Sequence, residues 1–173
     1  MALPKKDKEK DRNLIAEATK EMNAGKYGRA SSLLKEILAA DAKNMEARRL
    51  FATLHLKTGN LITAKGAFDT LVKAALDAQD YWLAESLLRE YLAAGPRYIP
   101  FLEKLGEVLE RKGDPPGAAV EYGKAIDVLV EDPDPDQPNR ARELFDKIKS
   151  VAPTSPVVLR WAQTFEPTPP ASA

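Results

Sequence analysis

The feature that most constrains this chain is a pattern that returns along it. Ala18, Gly25, Ala30, Leu34 and Ile37, moved on by 34 positions, fall on Ala52, Gly59, Ala64, Phe68 and Leu71. A further shift of 54 reaches Gly106, Gly113, Ala118, Tyr122 and Ala125, with the glycine and the small contact residue kept. Tyr27, Ala30, Leu34, Ile37 and Leu38 likewise return 54 later as Tyr81, Ala84, Leu88, Tyr91 and Leu92. A weaker copy lies 57 beyond Ala84, Leu87, Leu88, Tyr91 and Pro96, at Ala141, Leu144, Phe145, Ile148 and Pro153, with the three extra residues taken up by the linker 131–138. A chain whose packing positions recur stacks like units, each covered by its neighbours, in place of closing one irregular core.

Each copy reads as helix. Leu33, Leu34, Ile37 and Leu38 step by three and four, which puts them on one helical face, while Ser32, Lys35 and Glu36 occupy the other. Gly25, Gly59 and Gly113 end such runs, where a residue able to take positive φ closes a helix most readily. Asn60 and Asp114 stand where they can cap the next helix, Pro115 suits a first turn that needs no amide hydrogen, and Ser155 before Pro156 repeats the device. Ala30, Ala64, Ala84, Ala118 and Ala141 sit about one turn into a helix, so a neighbouring helix can come close. No stretch alternates apolar and polar residues over a strand length. The expectation is all-α, with nine helices near 11–24, 27–40, 45–58, 60–78, 80–94, 98–112, 115–131, 138–151 and 156–165.

Composition narrows function. Lys plus Arg and Asp plus Glu are 26 each, so no charge excess draws the chain to nucleic-acid phosphates or anionic lipid. There is no cysteine, hence no disulfide, thiolate zinc site or Cys nucleophile. The opening residues MALPKKDKEKDR contain no apolar signal-like region, and no apolar run is long enough to span a bilayer. Membrane insertion is not expected, and the cytoplasm is the expected compartment. Neither a phosphate-binding glycine loop, a metal-binding histidine pair nor a nucleophile motif is present, so no enzyme activity, cofactor or metal is expected.

Phe51, Ala52, Gly59, Leu61, Ala64, Phe68 and Leu71 resemble the tetratricopeptide repeat, a helix-turn-helix unit of 34 residues. Leu14 to Asn44 and Leu102 to Asp132 carry most of the same pattern, the latter with the Leu105-Gly106 pair and Tyr122, and the likeness runs from about Asp11 to Pro153. Asp80 to Pro96 matches only the second helix of a unit. The resemblance implies a right-handed α-solenoid of antiparallel helix pairs, and a concave groove, lined mainly by the first helix of each pair, that takes a peptide or partner helix. Carried over residue by residue, the groove positions are Arg12, Ile15 and Thr19, then Arg49, Thr53 and Leu56, then Glu103, Glu107 and Glu110. The wall would thus be basic and mildly apolar at one end and acidic at the other. Ile15 and Thr19 replace the Lys and Asn with which some relatives clamp a C-terminal carboxylate, so chaperone-tail binding of that kind is not expected. The loose pattern, rich in Ala, Leu and Glu, looks like bacterial members of the family.

The expected organisation is a flexible charged lead-in at 1–10, a repeat domain at 11–165 and a proline-rich flexible tail at 166–173. The expected role is a scaffold or adaptor with a protein or peptide partner. The alternative is self-assembly, a homo-oligomer stacking through terminal helices. Three smaller features complete the reading. His55, one turn after Phe51, is expected to pack rather than to catalyse. Asp132, Asp134, Asp136 and Glu143 have calcium-loop spacing, but Gln137 stands where glycine is needed and Pro133, Pro135 and Pro138 stiffen the turn, which fits a plain acidic linker. Tyr81 with Trp82, and Trp161 with Phe165, are candidate aromatic anchors.

Overall fold

The computed structural model describes residues 5–166; residues 1–4 and the tail from 167 onward lie outside the described residues. Among the described residues there are nine α-helices and no strand: α1 (Lys5–Asn23), α2 (Tyr27–Ala40), α3 (Met45–Lys57), α4 (Leu61–Asp77), α5 (Tyr81–Ala94), α6 (Ile99–Arg111), α7 (Pro115–Glu131), α8 (Arg140–Val151) and α9 (Pro156–Phe165). The all-α expectation holds, with every boundary but one within two residues of the expected place. The exception is α1, which starts at Lys5, inside the stretch expected as a lead-in. Lys and Glu have high helix propensity, and Lys10 ties α1 to Glu36 of α2 at 3.0 Å.

The turns form as the glycines require. Gly25, Gly59 and Gly113 have φ of 71°, 76° and 80°. At each, the next amide reaches back across the last turn: Lys26 N donates to Glu21 O, Asn60 N to His55 O, and Asp114 N to Leu109 O, all at 2.9 Å. These bonds satisfy carbonyls that the helix end leaves open. Gln79 takes the same left-handed conformation without glycine (φ 57°). The Asn60, Asp114 and Ser155 side chains accept from Thr63 N, Gly117 N and Val157 N, and Asn44 and Asp80 cap α3 and α5 in the same way.

Packing divides the chain into two compact units, one ending at Ala78 and the other beginning at Gln79. In the first, α1 packs on α2, α2 on α3 and α3 on α4, while α1 also touches α3. Its core includes Ile15, Ala18, Met22, Leu34 and Ile37, bordered by Leu14, Leu50 and Phe51. In the second, each helix from α5 to α9 packs on the next, and α7 also meets α9. There Phe101 is wholly buried, edge-on to Tyr91 and Tyr98 at ring separations of 4.8 and 5.1 Å. Tyr122 and Phe145 are wholly buried too. Gly106 on α6 admits the Tyr122 ring so closely that a Cβ there would stand 2.4 Å from Cε1. Among the described residues, no helix is long and apolar enough to cross a membrane.

Candidate functional site

Each unit presents a face made from the first helices of its pairs. In the first unit α1 contributes Arg12 and Thr19, and α3 contributes Arg49 and Thr53. Arg12 is exposed, while Thr19, Arg49 and Thr53 are half-buried. Both threonine hydroxyls donate to the carbonyl one turn back, Thr19 to Ile15 O and Thr53 to Arg49 O, each at 2.9 Å. Ile15 and Leu56, expected on the same wall, are buried instead. Ile15 steps with Ala18 and Met22 along the face of α1 that packs into the core. What remains of this wall is basic and polar, without the apolar component.

The face of the second unit is an ion-pair ladder. Glu103, Glu107 and Glu110 stand four and three residues apart along α6, on one helical side. Arg140 and Lys147 of α8 meet them. Arg140 Nε donates to Glu103 at 3.0 Å and a second guanidinium nitrogen reaches the other carboxylate oxygen, while Arg140 also bridges Glu143 at 3.0 Å. This forked pairing holds the guanidinium proton more tightly than usual, chiefly through the Glu103 hydrogen bonds. Lys147 lies 3.2 Å from Glu110, 3.9 Å from Glu107 and 4.5 Å above the Tyr122 ring. The Tyr122 hydroxyl donates to Glu110. Burial first, and the neighbouring carboxylates second, push its ionisation well above the ordinary tyrosine range.

Three carboxylates therefore face two cations, and the side chain of Glu107 is the most open of the acids at 57% exposure. The acidic row on α6 is largely balanced from within the unit. The sequence held a signal for this: Arg140 and Lys147 follow Glu103 and Glu110 by 37 positions, one repeat plus the three residues of the linker. Beside the ladder, the start of α6 and the acidic linker enclose a 380 Å³ cleft, bordered by Tyr98, Pro100, Glu103, Leu129, Gln137 and Arg140. In that linker the Asp134 carboxylate accepts from Asp136 N at 2.9 Å and from the Gln137 side chain at 3.1 Å, so it braces the turn. Among the described residues, no cluster of His, Cys, Asp and Glu could hold a metal ion. His55 is half-buried and lies edge-on to Phe51 with ring centroids 4.6 Å apart.

The aromatic candidates separate. Trp161 is buried and Phe165 stacks on Phe145 at 5.1 Å, so these two seat α9 on its own unit. Trp82 is 76% exposed, with the Lys112 ammonium 3.1 Å from its ring centroid. Lys112 also pairs with Glu85, which receives Arg89 at 2.8 Å. The hydrogen bond from Lys112, then that from Arg89, holds the Glu85 carboxyl below its ordinary value of 4.5. A depressed folded-state pKa stabilises the fold above the ordinary value and loses that contribution as pH falls towards the folded one. Glu85→Gln is expected to lower thermal stability at neutral pH and to flatten the decline below about pH 4.5. Parallel acid limbs for the two proteins in melts followed by circular dichroism would refute this assignment.

Tetratricopeptide repeat models match the chain at residues 21–85 and 70–138. No curated protein matches it. Among solved structures, a crystal structure of MamA is similar over 87% of this chain and 91% of its own, at 17% identity and a TM-score of 0.43. TTC0263, a thermophilic TPR protein in Thermus thermophilus, is similar over 88% of this chain and 97% of its own, at 20% identity and 0.37. PilF from Pseudomonas aeruginosa is similar over 94% and 87%, at 16% identity and 0.40.

Proposed function

Because this chain belongs to the tetratricopeptide repeat family, we propose that it is a non-catalytic scaffold, holding a peptide or helix of a partner protein against its first-helix faces. The family's general role in protein-protein interaction is the starting point, and the charges on the two faces support the proposed mode. The observation that carries the reading is the contrast between the two faces. One offers Arg12 and Arg49 with two threonines, the other a carboxylate row in which Glu107 stays open. Surface charges such as Arg12 and Glu107 steer encounter and fix the direction of a bound segment more than they add affinity. Taken singly, the first face fits an acidic segment and the second a basic one.

The test compares the native protein with an Arg49→Glu, Glu107→Lys variant in capture from the source lysate, followed by calorimetry with each purified candidate. Glu107 is preferred to Glu103 because replacing Glu103 would strand Arg140. A partner bound by the native chain and at least about tenfold more weakly by the still-helical variant, roughly 1.4 kcal/mol, supports the reading. Equal binding refutes it. Self-assembly through terminal helices is the second reading, favoured by one observation: Leu159 on α9 is 75% exposed. Light scattering that shows the monomer mass across concentrations would remove it.

A further inference from the structure

The repeat that orders the helices also repeats a crevice, on surfaces separate from the first-helix faces. In the first unit it is a 190 Å³ space bordered by Leu38 of α2, Arg48 and Phe51 of α3, and Ala67 and Thr70 of α4. In the second it is a 390 Å³ space, and the residues 54 positions later border it: Leu92 of α5, Leu102 and Leu105 of α6, and Glu121 and Lys124 of α7. The same geometry thus occurs twice with different chemistry. Arg48 and Phe51 become two leucines that are buried, so the apolar surface open in the crevice is that of half-buried Leu92 and exposed Ala93. Ala67 and Thr70 become Glu121 and Lys124, which brings charge to the wall.

The charges are layered. Glu121 is buried, with its side chain 5% exposed, and Lys124 binds both of its oxygens at 2.9 and 3.0 Å while Arg89 lies 3.7 Å away. Arg89 also pairs with Glu85, whose side chain is 16% exposed. Two carboxylates thus lie beneath, and half-exposed Arg89 and Lys124 cover them. Arg97, paired with the exposed Glu131, completes the rim. A buried carboxylate costs desolvation unless paired, and here it fixes two long cations over an apolar floor that would otherwise leave them free to swing away. What a visitor meets is a pre-positioned cationic rim around an aliphatic pocket, at a volume within the range of ligand sites.

We propose that this crevice of the second unit docks an acidic amphipathic segment of a partner protein, with an aliphatic side chain against Leu92 and Ala93 and an adjacent carboxylate on Arg89 and Lys124. The ligand chemistry follows from charge complementarity. A basic segment would be repelled at the rim, and a purely polar one would leave Leu92 and Ala93 wet. The crevice of the first unit, with half the volume and no acid-braced cation pair, is the internal reference that should not bind.

The experiment measures fluorescence anisotropy of a fluorescein-labelled peptide of repeated Leu-Glu-Glu-Leu, with methyl spectra to locate it. Saturable binding is expected, with shifts at the Leu92 methyls and none at its counterpart Leu38. An Arg89→Gln, Lys124→Thr variant, which gives position 124 the threonine found at 70, should bind at least about tenfold more weakly. If that double variant loses helicity, Lys124→Thr alone is read the same way. Equal binding of a peptide with Lys for Glu or Ser for Leu, unchanged binding by the variant, or no saturable binding would overturn the proposal. An Arg12→Glu, Arg49→Glu variant should bind as the native chain does. Loss in that variant alone would move the peptide to the α1 and α3 face and overturn this site while leaving the scaffold reading intact.

Discussion

Phe101→Ala is expected to destabilise the protein by about 3–5 kcal/mol, the range for removing a large aromatic side chain from a core that cannot collapse around the space. Phe101 has no exposed surface and is held edge-on by Tyr91 from α5 and by Tyr98 from the turn before α6. It therefore joins α5 to α6, and each edge-to-face pair adds about 0.5–1.5 kcal/mol beyond the area it buries. The expected signature in urea titrations is a lower midpoint with the slope retained. A loss under about 1 kcal/mol would show that Tyr91 and Tyr98 close the gap and that the aromatic triad is not the organising contact of this unit.

The second large effect is expected at Gly106. Alanine is favoured over glycine inside a helix by about 1 kcal/mol, so propensity alone predicts that Gly106→Ala stabilises α6. The structure predicts the opposite sign. The new Cβ would lie 2.4 to 2.8 Å from three carbons of the Tyr122 ring, a ring with no exposed surface and with its hydroxyl bound to Glu110. Overpacking of this kind costs about 1–3 kcal/mol, and a ring without room to move belongs near the upper end, for a net loss of about 2 kcal/mol. A double variant with Tyr122→Leu separates the causes. If the clash is the cause, Gly106→Ala becomes neutral or stabilising in the leucine background, a non-additivity that neighbouring residues are expected to show. Additive losses would refute the contact. Because Tyr122 also bears on Glu110 and Lys147, the displaced ring should disturb the charged face of α6 as well.

The helical architecture was largely legible beforehand because its determinants are local. Gly25, Gly59 and Gly113 set the turns through their own φ, Asn60, Asp114 and Ser155 cap through amides two or three residues away, and the apolar stripe of α2 follows from period alone. The start of α1 was missed for an equally local reason: a solvated run of Lys, Asp and Glu has no apolar period, although its helix propensity suffices when one turn is pinned to α2. The candidate site was legible only in part. A groove position was carried over as a place in a motif, whereas its exposure depends on the packing around it. Ile15 and Leu56 showed this by turning to the interior.

By itself the sequence determined that the chain is all-α and repetitive, where its helices turn, and which small residues let helices approach, since these depend on spacing and on backbone preference within a few residues. Only the tertiary structure decided which charges are spent and which remain available. Arg140 and Lys147 largely balance the α6 acids, Glu121 disappears beneath Arg89 and Lys124, and Glu107 stays open. The physical reason is that Coulomb pairing and burial depend on distance through space between residues tens of positions apart, and no local preference encodes that distance.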